Sequence, residues 1–193
     1  MHIRNSIAMF LCFLSLTGTA QYTLQGDAVS VGGSCYQLTE AVVDQVGAVW
    51  YDETIDLAQP FDLQFKMNFG TNSGNGSSLT PGADGMVFVM QTIGPSAIGN
   101  AGDGIGYEGF LPSLGIEFDT YWNEGNGDLL DDHIGIIKDG SVSHLASTAI
   151  AGPVTATSIG ADIEDGLDHA IQITWDPNVQ EINVYFDCEF RLV

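Results

Sequence analysis

Almost every regular stretch of this chain has a hydrophobic period of two. Phe61, Leu63, Phe65, Met67 and Phe69 alternate with Asp62, Gln64, Lys66 and Asn68, which predicts a strand with one dry and one wet face. Ile171, Ile173 and Trp175 alternate with Gln172, Thr174 and Asp176. The run Asp176-Pro177-Asn178-Val179-Gln180 then reverses the chain into Ile182, Val184, Phe186 and Cys188, a hairpin. Met86 to Met90 is apolar throughout, as expected of a strand covered on both sides. Helical periodicity is scarce and the chain carries 24 glycines, so short strands joined by frequent turns predict an all-β fold, an antiparallel β-sandwich. The stretch 71–82, rich in Gly, Ser and Asn, reads as a surface loop, and Asn75-Gly76-Ser77 within it fits a glycosylation sequon.

The first twenty residues break this pattern. Arg4 follows a short polar start, Ile7 to Leu16 form an apolar core too short to span a bilayer, and Thr17-Gly18-Thr19-Ala20 supplies small residues for cleavage. The expectation is a signal peptide over residues 1–20, followed by one secreted domain over residues 21–193. In that export context Cys35 and Cys188 are candidates for a disulfide, with two separate buried thiols as the alternative. Charge narrows the partners. Asp and Glu number 25 against 4 Lys and Arg, a formal charge of −21 at pH 7. Nucleic acid and anionic membrane surfaces are disfavoured, because both are bound mainly through Lys and Arg.

The chemistry concentrates in residues 115–136. If Gly115 onward is a strand, Glu117, Asp119 and Tyr121 project from one face and Ile116, Phe118 and Thr120 from the other. Asn123, Asp128 and His133 follow across a Gly-rich acidic loop that can fold back over the polar face. The set contains carboxylates, an amide oxygen, a loop carbonyl and an imidazole. The oxygens suit a hard ion such as Ca²⁺, and the His with carboxylates suits a transition ion such as Mn²⁺. Ionised carboxylates on an otherwise apolar strand are costly unless paired or metal-bound.

The pattern Glu117-x-Asp119-x-Tyr121-x-Asn123, with Asp128 and His133 at five-residue steps, resembles the metal loop of the legume-type (L-type) lectins, concanavalin A-like jelly-roll sandwiches that bind sugars. The resemblance implies that Asp119 and Asp128 bridge two ions. Asn123 and the Tyr121 carbonyl complete the Ca²⁺ site, Glu117 and His133 complete the Mn²⁺ site, and Ser143 holds a metal-bound water. Leu129 stands where the family usually has proline, and Asp131 and Asp132 compete with Asp128 for the bridging role. Gly82-Ala83-Asp84-Gly85 resembles the family's Ala-Asp-Gly block. This implies a cis peptide at Ala83–Asp84 and sugar hydroxyls bonded to Asp84. Residues 102–110 resemble the family's glycine loop, implying a sugar contact from the N–H of Gly106, with Gly104 next in line. Tyr121 is expected to lie beneath a sugar ring. The chain ends at Val193 directly after a strand, where the resembled family continues with another strand and loop; a fragment and a trimmed fold both fit.

The expected function is therefore secreted, Ca²⁺- and Mn²⁺-dependent carbohydrate binding without catalysis, made multivalent by a homo-oligomer or a larger protein. A concanavalin-like glycoside hydrolase using Glu117 is the enzymatic alternative. Its second acid is missing, since Tyr121 and Trp122 occupy both positions where the motif needs it. A Ca²⁺-stiffened adhesion module is the structural alternative. His144 and His169 read as edge or turn residues, and Tyr107 and Trp50 as packing.

Overall fold

The computed structural model describes residues 21–72, 82–160 and 162–193. The expected leader and the sequon lie outside the described residues. In chain order the strands are β1 (Tyr22–Gly26), β2 (Val29–Gly32), β3 (Cys35–Gln37), β4 (Gly47–Tyr51), β5 (Phe61–Met67) and β6 (Gly85–Gln91). They continue as β7 (Ser113–Asp119), β8 (His133–Lys138), β9 (Ala149–Thr155), β10 (His169–Asp176), β11 (Glu181–Phe186) and β12 (Glu189–Leu192). Two four-stranded sheets, β6-β7-β8-β9 and β12-β11-β10-β5, are joined by the two-stranded pairs β1-β4 and β2-β3, and every pairing is antiparallel.

The period-two pattern is what packs the sheets. Ile116, Phe118, Ile134 and Ile136 of the first sheet bury against Ile171, Ile173, Val184 and Phe186 of the second. Phe65 stacks on Phe88 across the interface, with ring centroids 5.9 Å apart. Each such side chain stabilises the fold by about 1.5–3 kcal/mol through burial. β6 is covered on both sides as its apolar run predicted: Phe88 faces the inter-sheet core, while Val87 and Val89 face a second cluster of Ala97, Tyr107, Phe110 and Ile137. Tyr107 and Trp50 are packing residues in that cluster. The Tyr107 hydroxyl accepts hydrogen bonds from Ser113 Oγ (2.9 Å) and the Gly140 N–H (3.2 Å), and Trp50 Nε1 donates to the Ala97 carbonyl.

The expected disulfide is absent. Cys35 and Cys188 are free and exposed. Cys35 lies on β3, paired only with β2, whereas Cys188 sits in the tight β11–β12 reversal with φ +68°. Each is held by its own hairpin, and presence at opposite ends of a chain does not bring two sulfurs to bonding geometry.

Candidate metal and ligand site

The same alternation that sends Ile116 and Phe118 inward turns Glu117 and Asp119 to the other face of the β6–β9 sheet. Register does the rest: Asp119 lies opposite His133 and Glu117 opposite Gly135. A Cβ at position 135 would sit 2.5 Å from Glu117 Oε1 and 2.6 Å from His144 Cε1, so glycine there leaves the space that both side chains fill.

The acidic loop folds back as its sequence predicts. The Tyr121 N–H donates to Asp119 Oδ1 (2.7 Å) and the Asn123 N–H to Asp128 Oδ2 (2.7 Å). A 3-10 turn at Glu124–Asn126, ended by Gly127 in left-handed backbone, brings Asp128 over the strand face. Asp128 Oδ1 then lies 3.8 Å from His133 Nε2 and 3.8 Å from His144 Nε2. Asp119, Asp128 and His133 each offer a ligand atom within 4.8 Å of the others, and so do Glu117, His133 and His144. The competing carboxylates turn elsewhere. Asp131 is exposed, and Asp132 accepts the Ile163 N–H (2.8 Å) beside Asp162 and Glu164.

His144 corrects the sequence reading. Its side chain is only 2% exposed, and Nε2 lies 2.8 Å from Glu117 Oε1. Its N–H donates to the Asn126 carbonyl, tying it to the metal loop. Ser143 donates its backbone N–H to Ser141 Oγ (3.4 Å), and the side chain from this segment that reaches Glu117 is that of His144. The available signal was the pair Asp139-Gly140, both in left-handed backbone, which reverses the chain between His133 and His144. His169 is structural, as expected. Its Nδ1 lies 2.8 Å from Asp187, Nε2 is 3.1 Å from the Ile163 carbonyl, and the ring stacks on Phe186.

The electrostatics are set by burial of several carboxyls and imidazoles in one small space. Burial, then the charges of Asp128, Glu117 and Asp84, push Asp119 up to about 9 despite the Tyr121 N–H. Burial and the neighbouring His144 lower His133 to about 4. Burial lowers His144 too, but Glu117 and Asp128 outweigh it and the net shift is upward. Both Glu117 carboxylate oxygens, Asp128 Oδ1, His133 Nε2 and both His144 nitrogens are buried without a hydrogen-bond partner. Buried polar atoms in native proteins are nearly always satisfied, so a cluster of six points to a shared ligand. The donor set fits a transition ion at Glu117, His133 and Asp128, with Asp119, Asn123 and the Tyr121 carbonyl available to a hard ion beside it.

The expected ligand-contacting residues border this cluster. The Ala83–Asp84 peptide is cis. Gly85 pairs with Asp119, and the Thr120 N–H donates to the Asp84 carbonyl (3.1 Å), so Asp84 is braced on the carboxylate-bearing strand. Burial, then the charge of Asp103 in the glycine loop, raises Asp84 above the usual carboxylate range. Tyr121 and Asn123 are half-buried. Gly106 departs from expectation: its N–H donates to the Asn100 carbonyl (2.8 Å), which removes it as a donor to an incoming hydroxyl.

A family model of the legume lectin beta-barrel domain, the L-type lectin domain, matches residues 13–190. The putative L-type lectin-domain containing receptor kinase I.10 of Arabidopsis thaliana is 27% identical over 177 residues, covering 83% of this chain and 27% of that protein. The pesticidal crystal protein Cry22Aa of Bacillus thuringiensis is 30% identical over 86 residues, 45% of this chain and 11% of that one. The chain thus spans about a quarter of the first relative's length and about a tenth of the second's. Among solved structures it is similar to the basic winged bean lectin determined with Tn-antigen, with a TM-score of 0.59 and 21% identity over 90% of this chain and 73% of that one. It is also similar to the metal-free form of lectin I-B4 from Griffonia simplicifolia, with a TM-score of 0.59 and 18% identity over 93% of this chain and 79% of that one. For the lectin from Bauhinia forficata in complex with GalNAc, the TM-score is 0.56 and the identity 18%, over 94% and 78% of the two chains. All three share its sandwich fold.

Proposed function

This chain belongs to the L-type lectin domain family, and we propose that it is an exported carbohydrate-binding domain whose sugar site is ordered by bound Ca²⁺ and a transition-type divalent ion such as Mn²⁺. The observation that carries this reading is the bracing of Asp84 on the metal-candidate strand, through the Gly85–Asp119 pairing and the Thr120 N–H on the Asp84 carbonyl. Asp119 and Asp128 would hold the cation, and the loop bearing Tyr121 and Asn123 is tied to both through the Tyr121 and Asn123 N–H groups. Asp84 then accepts sugar hydroxyls, Asn123 donates to one through its amide, and the Tyr121 ring offers an apolar platform. The protein's contribution is preorganisation: polar groups already held in place lose little freedom on binding. Export rests on the leader-like pattern of residues 1–20. Small wet sites bind weakly, so avidity comes from an oligomer or from a longer protein carrying this domain.

Hydrolysis is disfavoured by access. Glu117 is 0% exposed, beneath the loop and against His144, and a glycosidic carbon cannot approach it. The test is a glycan array with the purified chain in Ca²⁺ plus Mn²⁺ and again in EDTA, alongside two variants. Asp119→Ala is expected to lose both metal and sugar, and Asp84→Ala to lose sugar while retaining metal content. Sugar binding indifferent to EDTA, or equal metal loss in both variants, sinks this division of roles. Silence from folded, metal-loaded protein leaves a structural Ca²⁺ module.

A further inference from the structure

We propose that His144 is itself a ligand of the transition-ion position, converting it into a two-histidine site that prefers Zn²⁺, Co²⁺ or Ni²⁺ over Mn²⁺. This rests on the metal reading above and concerns a residue outside the ligand set implied by the sequence. His144 Nε2 is 2.8 Å from Glu117 Oε1, while the other atom of each group, His144 Nδ1 and Glu117 Oε2, is buried without a hydrogen-bond partner. A histidine present only to pair with a glutamate would satisfy its second nitrogen as well; here Nδ1 is orphaned. Instead, the Nε2 atoms of His133 and His144 both lie 3.8 Å from Asp128 Oδ1, with the two rings edge-to-face at 5.3 Å. Two imidazoles and two carboxylates thus converge on one buried space.

The surroundings hold this arrangement in place. The His144 N–H is anchored on the Asn126 carbonyl, inside the loop that supplies Asp128. Gly135 leaves room for the imidazole, and any larger residue there would collide with both Glu117 and His144. Glu117, His133, His144 and Asp128 amount to four protein donors, the number that closes a structural zinc site. A second imidazole also moves selectivity. Mn²⁺ is the weakest of the divalent first-row ions at nitrogen-containing sites, and each added nitrogen donor widens its deficit against Co²⁺, Ni²⁺ and Zn²⁺.

The test strips the purified chain, restores Ca²⁺, and offers equimolar Zn²⁺ and Mn²⁺, with bound metal counted by mass spectrometry and Co²⁺ uptake followed by its visible absorption. The wild-type chain is expected to take up Zn²⁺ in preference to Mn²⁺. His144→Ser is expected to weaken Zn²⁺ binding by more than the roughly 10- to 100-fold that loss of a merely supporting partner costs, and to change the Co²⁺ spectrum. Because His144→Ser can fail to fold, imidazole nitrogens are also counted by pulsed electron paramagnetic resonance on the Cu²⁺-loaded wild-type chain, where two coordinated rings are expected. A count of one, or unaltered affinity and spectrum in folded His144→Ser while His133→Ala loses the ion, overturns the proposal and leaves the metal reading standing. A folded wild-type chain that takes up no transition ion overturns both.

Discussion

Replacing Glu164 with glutamine isolates a buried carboxyl that is not among the proposed metal ligands. Glu164 is 4% exposed, its Oε2 has no partner, and its carboxyl lies against the backbone of Gly82, where a Cβ would come within 1.7 Å of Oε1. Burial first, then the charges of Asp132 and Asp162, raises it to about 8, only partly offset by the Thr120 hydroxyl. At neutral pH the folded chain therefore keeps a proton that the unfolded chain, with an ordinary value of 4.5, has lost. A raised acid contributes its full stability below the unfolded value and loses it as pH rises toward the folded one. The gap between 4.5 and about 8 corresponds to roughly 5 kcal/mol. Asp132, raised to about 6 mainly by burial, slopes the same way. Urea unfolding at pH 5, 6, 7 and 8, with EDTA present to keep cations from neutralising the cluster, is the assay. Wild-type stability should fall steeply across this range. Glu164→Gln, uncharged in both states, should lose the Glu164 share of that slope, keep the share of Asp119, which is raised to about 9, and gain on the wild-type chain as pH rises to 8. Parallel pH profiles for the two proteins would refute the reasoning, because they would mean that Glu164 ionises alike folded and unfolded.

Chelation should lower the thermal midpoint at pH 7, since an ion held at 100 times its dissociation constant contributes about 2.7 kcal/mol, or several degrees for a domain of this size. Scanning fluorimetry with and without EDTA checks this, and coincident melts would count against an ordered ion. Gly140→Ala should destabilise by about 2–4 kcal/mol, because φ is +67° and the new Cβ would fall 2.3 Å from the Phe110 nitrogen. A urea midpoint within error of wild type would show that the Asp139-Gly140 reversal relaxes freely.

What was legible in the sequence is what period two encodes. Alternation on β7 assigned Ile116 and Phe118 to the core and Glu117 and Asp119 to the opposite face before any pairing was known, and the hairpin of β10 and β11 followed from its turn residues. The cis Ala83–Asp84 peptide came from family resemblance alone and is present. The misses are of another kind. His144 escaped because a serine one position earlier stood at the expected spacing, and spacing cannot see that the segment is pinned by its N–H to Asn126. Gly106 was chosen for a free N–H that the loop uses on Asn100. Cys35 and Cys188 were joined by arithmetic, yet each is confined to a different sheet's hairpin. The cluster of Asp132, Asp162 and Glu164 joins a residue beside β8 to the loop before β10, a meeting that no local pattern signals.

The buried carboxylates also constrain how the site can be neutralised. A chain with a formal charge of −21 gains nothing electrostatically from burying Glu117, Asp119 and Asp128 together on one sheet face. Protons are one remedy, and Asp119 at about 9 takes one. Protonation cannot serve His133, however. His133 is driven down to about 4 and stays neutral, so its orphaned Nε2 needs an acceptor of its lone pair, as the lone pairs of Glu117 and Asp128 do. One divalent ion would meet all of these demands at once, because such an ion accepts nitrogen and oxygen lone pairs and cancels charge in the same place. The same ion would stiffen Asp119, whose strand position pairs with Gly85, directly beside Asp84. Charge neutralisation of the site and aiming of the carboxylate proposed to bind sugar would then be a single event. Metal loss should therefore be felt first in sugar affinity, through Asp84, and only afterwards in unfolding of the sandwich, whose inter-sheet core of Ile116, Phe118, Ile173 and Phe186 lies on the other face of that strand.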